Sequence, residues 1–94
     1  MLFRSVSQSR YQLSKKREQL TQAQITETNS YGEYLKVMKA KTIIDEKDTE
    51  KVAKLDNLMF DHFTSYQHAL EEAQKLQVEL SQLESQQYLY DLLG

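Results

Sequence analysis

Three observations predict an all-α protein built as a long antiparallel helical hairpin of coiled-coil type. Helix breakers are nearly absent, since the 94 residues include no Pro and only two Gly, one of them terminal, so helices can run long. From Val52 to Tyr90 the apolar residues recur at alternating gaps of three and four, the period of a helix that packs on other helices. Between Asp45 and Glu50 that pattern lapses into a polar run at the centre of the chain, where a helix would end and the chain turn back.

The first helix is expected over residues 3–44. Leu2, Phe3, Val6, Leu13, Leu20 and Ala23 mark one side of it, with Ser, Gln, Lys and Arg filling the rest. The stripe is thin, and a strict heptad would place Arg10, Arg17, Gln24 and Glu27 on it as well. An arginine at such a position can lay its methylenes along the seam while its guanidinium reaches a carboxylate. Further on, Tyr31, Tyr34 and Met38 keep the same phase, with Leu35 and Val37 beside them. Ser30 and Glu33 have capping-box spacing, and Asn29 and Gly32 add weak breaking character, so a three-helix arrangement with a break near Asn29–Gly32 is the alternative. Unbroken phase favours one continuous helix, because a real turn would reset it.

The turn is expected at residues 45–49, with Asp48 or Thr49 as the N-cap of a second helix over residues 50–92. All of residues 1–94 then form one domain. Val52, Leu55, Met59, His62, Tyr66, Ala69, Ala73, Leu76, Leu80, Leu83, Gln87 and Tyr90 make the seam of this second helix, and ten of the twelve are apolar or aromatic. Leu58, Phe63 and Leu70 flank the seam and widen the apolar face beyond what a two-stranded zipper needs. The tail residues Tyr88, Leu89, Tyr90, Leu92 and Leu93 cover nearly all sides of the helix end. One partner arm cannot cover that tail, so its loss is expected to weaken assembly.

Folding the chain at residue 47 pairs Tyr31 and Tyr34 with Phe60 and Phe63. It also sets Leu20 against Gln74 and Leu76, Leu13 against Leu80 and Leu83, Arg10 against Glu84, and Lys15 to Arg17 against Glu79. Two arms shield only part of the wide face of the second helix. A homodimeric four-helix bundle, or a hairpin completed by another protein's helix, is therefore expected. The surface for itself or for that partner comprises Val52, Leu55, Leu58, Met59, Phe63, Tyr66, Leu70, Leu76, Leu80, Leu83, Tyr88, Tyr90, Leu92 and Leu93.

Composition narrows the function. No cysteine is present, which removes disulfides, thiolate chemistry and cysteine zinc sites and fits a reducing, cytoplasmic setting. His62 and His68 are six residues apart, off a common helical face, and no acidic residue completes a ligand set around either, so neither metal nor cofactor is expected. Glycine-rich phosphate loops and nucleophile–base arrangements are also missing from the sequence, and a slender hairpin offers little concavity. An enzyme is not expected.

Net charge is −2, which gives no general attraction to nucleic acid or membrane, and neither is an expected partner. Charge is nevertheless segregated, with the basic residues concentrated in the first half and the acidic residues in the second. This distribution favours antiparallel pairing of the arms. Arg4, Arg10, Lys15, Lys16 and Arg17 occupy a stretch without acidic residues, and the alternative function is binding of an anionic surface through them. The same Ser- and Arg-rich stretch also has the composition of an organellar targeting segment.

The leading expectation is a non-enzymatic interaction protein, a small helical chaperone, adaptor or assembly subunit that offers an apolar groove to a partner helix. In length and hairpin pattern it resembles small helical proteins of bacterial secretion systems, the export chaperones and the secreted hairpins with a Trp-x-Gly turn. This chain has no Trp, and Tyr88, Tyr90 and Asp91 do not reproduce a Tyr-x-x-x-acid export signal.

Overall fold

A computed structural model describes residues 2–94, with side chains from residue 8 onward. Two helices account for almost all of it: α1, Leu2–Lys41, and α2, Thr49–Leu93. They pack side by side as an antiparallel hairpin with extents of 69 × 16 × 13 Å. No helix is long and apolar enough to cross a membrane, among the described residues.

The helix α1 runs unbroken through Asn29–Gly32, so the three-helix alternative falls. Ser30 is half-buried within the helix instead of capping a new one. Gly32 has a negative φ and is simply a helical residue.

At its other end α1 stops at Lys41, three residues short of the expected 44, and the connection covers residues 42–48. Thr42 explains the early stop. Its backbone N–H donates to Lys39 O at 3.2 Å, Ile43 N–H donates to Ala40 O at 3.1 Å, and Thr42 Oγ1 donates to Lys39 O at 2.6 Å. These i→i−3 bonds tighten and close the last turn. Asp45 then folds the connection, its Oδ1 accepting from Lys47 N–H at 3.0 Å, in the manner of an Asx turn. Asp48 is the N-cap of α2, its side chain accepting from Lys51 N–H at 3.3 Å, and satisfies a donor that the helix leaves free.

All twelve seam positions of α2 are buried or half-buried. On α1 the inward face is Ser9, Leu13, Lys16, Leu20, Ala23, Glu27, Ser30, Tyr34 and Val37. Arg10, Arg17, Gln24, Tyr31 and Met38 are exposed, so the helix is turned by one residue at every second contact relative to the heptad expectation. Small residues explain the choice. Ala23 lies in a buried cluster with Ala73 and Leu76, and Leu20 packs against them. Turning the bulkier Gln24 inward would force the helices apart there. The expectations for Leu2, Phe3 and Val6 lie outside the described side chains.

The core is thin. Among the described residues the buried apolar side chains are Leu13, Ala23, Ala69, Ala73, Leu76 and Leu80, half of them alanine, and the most deeply buried, Leu76, keeps 3% of its surface exposed. Two helices cannot enclose a large side chain from every direction.

Candidate functional site: an uncharged side of the hairpin

Helical spacing gives the hairpin two broad sides of different chemistry. Along one side the helices are bridged by Arg17–Glu84 at 3.5 Å near the free ends and by Lys41–Asp56 at 2.5 Å near the turn. Between these ion pairs α1 presents Thr21, Gln24, Thr28, Tyr31, Leu35 and Met38, while α2 presents Phe60, Phe63, Gln67, Leu70, Gln74, Gln77 and Ser81. None of these side chains carries a charge. Tyr31, Leu35, Met38 and Phe63 are 38–43% exposed and Phe60 is 70% exposed, which makes the turn half of this side an apolar patch.

Aromatic packing across the helices fixes the patch. Tyr31 lies 5.1 Å from Tyr66 and Tyr34 lies 5.4 Å from Phe63, with Tyr31–Tyr34 and Phe63–Tyr66 closing the set at 6.2 and 6.0 Å between centroids. These separations fall in the favourable range for ring pairs. At Tyr31, Tyr34 and Lys41 the contacts run three residues further along α2 than a fold at residue 47 gives. Tyr31 therefore meets Tyr66, and Phe60 points to solvent.

The opposite side is polar and charged, carrying Glu33, Lys36, Asp61, Glu72, Lys75 and Glu79. Two open grooves of about 570 and 490 Å³ lie there, both touching Ala23 and Glu72. Alanines at the seam leave the volume that larger side chains would fill. Lys16 Nζ bonds Glu79 on this side. That hydrogen bond, opposed by partial desolvation and aided by the charges of Lys16 and Lys75, holds the Glu79 carboxyl below its ordinary value. No three His, Asp or Glu side chains gather as a metal would need, among the described residues.

The expected site residues divide by depth. Leu76 and Leu80 are buried, and Val52, Leu55, Met59, Tyr66, Leu70, Leu83 and Tyr90 are half-buried at the helix–helix contact or its edge. Leu58 is exposed on the charged side, and Phe63 belongs to the uncharged one. Tyr88, Leu92 and Leu93 are 63–83% exposed at the tail, in line with apolar side chains on several sides of the helix end.

Of the basic segment, Lys16 and Arg17 reach Glu79 and Glu84 within the hairpin, and Lys15 Nζ sits 5.9 Å from the Tyr11 ring centroid. Arg10 is exposed, and does not make the expected contact with Glu84, which Arg17 takes. Arg4 lies outside the described side chains. Tyr31, Leu35, Met38 and Phe60, which periodicity and a fold at residue 47 place at or beside the helix–helix contact, are exposed. Their signal is a stripe without charges beside the seam of each helix, Thr21 to Met38 on α1 and Phe60 to Ser81 on α2.

No protein-family model, curated protein or solved structure matches the chain.

Proposed function

We propose that this protein is a non-enzymatic interaction module, a small helical chaperone, adaptor or assembly subunit that binds a helix along the uncharged side of the hairpin. The partner helix comes from a second copy or from another protein. The exposed group Tyr31, Leu35, Met38, Phe60 and Phe63 carries this reading. Within it Tyr31 and Phe63 are held by ring packing against Tyr66 and Tyr34, and the side that carries the group is bounded by ion pairs, the arrangement of an apolar interface centre with a polar rim. Tyr supplies large contact area with few rotamers to freeze and keeps a hydroxyl for the wet margin. Tyr88, two heptads from Gln74 on the uncharged side and 64% exposed, extends the contact toward the free ends.

Affinity purification of the tagged chain from its native host, followed by intact-complex mass measurement, tests this function. A helical protein or a second copy should be held by the unaltered chain and lost with Phe60→Glu. Retention of the same partner by Phe60→Glu would refute the assignment of this side, and turnover of a small molecule by the purified chain would refute the non-enzymatic reading.

A further inference from the structure

Resting on that interaction reading, we infer that the occupant of the uncharged side is a second copy of this chain. The two turns lie at the same end, and the two-fold axis runs along the hairpin. In this arrangement α1 of each copy lies over α2 of the other, and every neighbouring pair of helices in the resulting four-helix bundle is antiparallel.

Charge selects both occupant and orientation. Counting Lys and Arg against Asp and Glu, α1 carries eight basic and three acidic residues, a net +5, and α2 carries three basic and eight acidic, a net −5. A foreign basic helix would suit α2 and oppose α1, and a foreign acidic helix would do the reverse. A second copy suits both arms at once. Turned head to tail, the copies would stack α1 on α1 and α2 on α2, like charge on like; with the turns together each arm meets its opposite.

The uncharged stretch between Arg17–Glu84 and Lys41–Asp56 means that closure strips water from no unpaired charge. With the turns together, the patch of Tyr31, Leu35, Met38, Phe60 and Phe63 meets its own symmetry mate. Head to tail, it would face the Thr- and Gln-rich half.

Light scattering and single-thiol spin labelling test the proposal, the second aided by the absence of native cysteine. At micromolar concentration the chain should show twice its 11.1 kDa mass. Phe60→Glu should weaken association by roughly 100-fold or more with helical content kept, since Phe60 is 70% exposed within one hairpin. Val78→Glu, at an exposed position on the back of α2, should leave the mass unchanged. Labels on Lys47→Cys should lie far closer together than the 69 Å length of the hairpin.

A single-chain mass for the unaltered protein, a dimer that survives Phe60→Glu, or labels separated by nearly the full length would each overturn the inference. A single chain that still takes up a foreign helix in a Phe60-dependent manner would remove the second copy and leave the interaction reading standing. Failure of both would remove the two together.

Discussion

Tyr34 of α1 and Phe63 of α2 hold their rings 5.4 Å apart at a tilt of 45°, joining the two arms at the edge of the exposed patch. Tyr34 is half-buried and Phe63 is 38% exposed, so their attraction is partly that of a surface pair. A double-mutant cycle with Tyr34→Ala and Phe63→Ala in urea denaturation should give a coupling of about 0.5–1 kcal/mol. Strictly additive effects would mean that the rings do not meet and that the observed register is wrong.

Leu76 has the most to lose. It is the most deeply buried apolar side chain, set against Ala23, Ala73 and Leu20, and the neighbouring alanines cannot expand into a void. Leu76→Ala should cost about 2–4 kcal/mol, measured by chemical or thermal unfolding. Leu58→Ala, at an exposed position, should fall within about 0.5 kcal/mol of the parent.

Gly32 lies inside α1 at negative φ, and a Cβ built there meets nothing within 4 Å. Gly32→Ala should therefore stabilise the protein by about 0.5–1 kcal/mol, seen as a higher urea midpoint at constant slope. Destabilisation would show that the chain breaks or bends at this glycine.

Acid should loosen the Lys16–Glu79 link. The folded-state pKa of Glu79 lies below its ordinary 4.5, chiefly through the Lys16 hydrogen bond. The folded state thus favours the charged carboxylate. That contribution is complete above the unfolded pKa and disappears as pH falls from about 4.5 through the folded value. Urea midpoints recorded from neutral pH downward should decline in this window, and Glu79→Gln should flatten the decline. Identical pH profiles for the two proteins would contradict the link.

How much of this was legible depended on how many residues voted for each face. The α2 seam was readable in full because ten of its twelve positions are apolar or aromatic and agree on one phase. On α1, Leu13, Leu20 and Tyr34 fit two phases that differ by one residue at the intervening positions. One brings Arg10, Arg17 and Gln24 inward, and the other brings Ser9, Lys16 and Ala23. Periodicity alone cannot separate them; partner geometry does, because Ala23 admits close approach and Lys16 reaches Glu79. The turn begins earlier than the pattern suggests because Ile43 and Ile44 look like continuing helix, whereas Ile43 is 80% exposed in the connection. The exposed patch exists because α1 is turned so that Tyr31 and Met38 leave the seam.

Near the free ends the packing carries a small defect. Ser9 Oγ and Gln87 Oε1 are buried without a hydrogen-bond partner among the described residues, and each unsatisfied group favours local opening toward water. The rings of Tyr31, Tyr34, Phe63 and Tyr66 lock the other end. Thermal fraying should thus begin at the termini and advance toward the connection like a zip released from its open end. Amides near Ser9 and Gln87 would exchange with solvent long before those flanking Phe63.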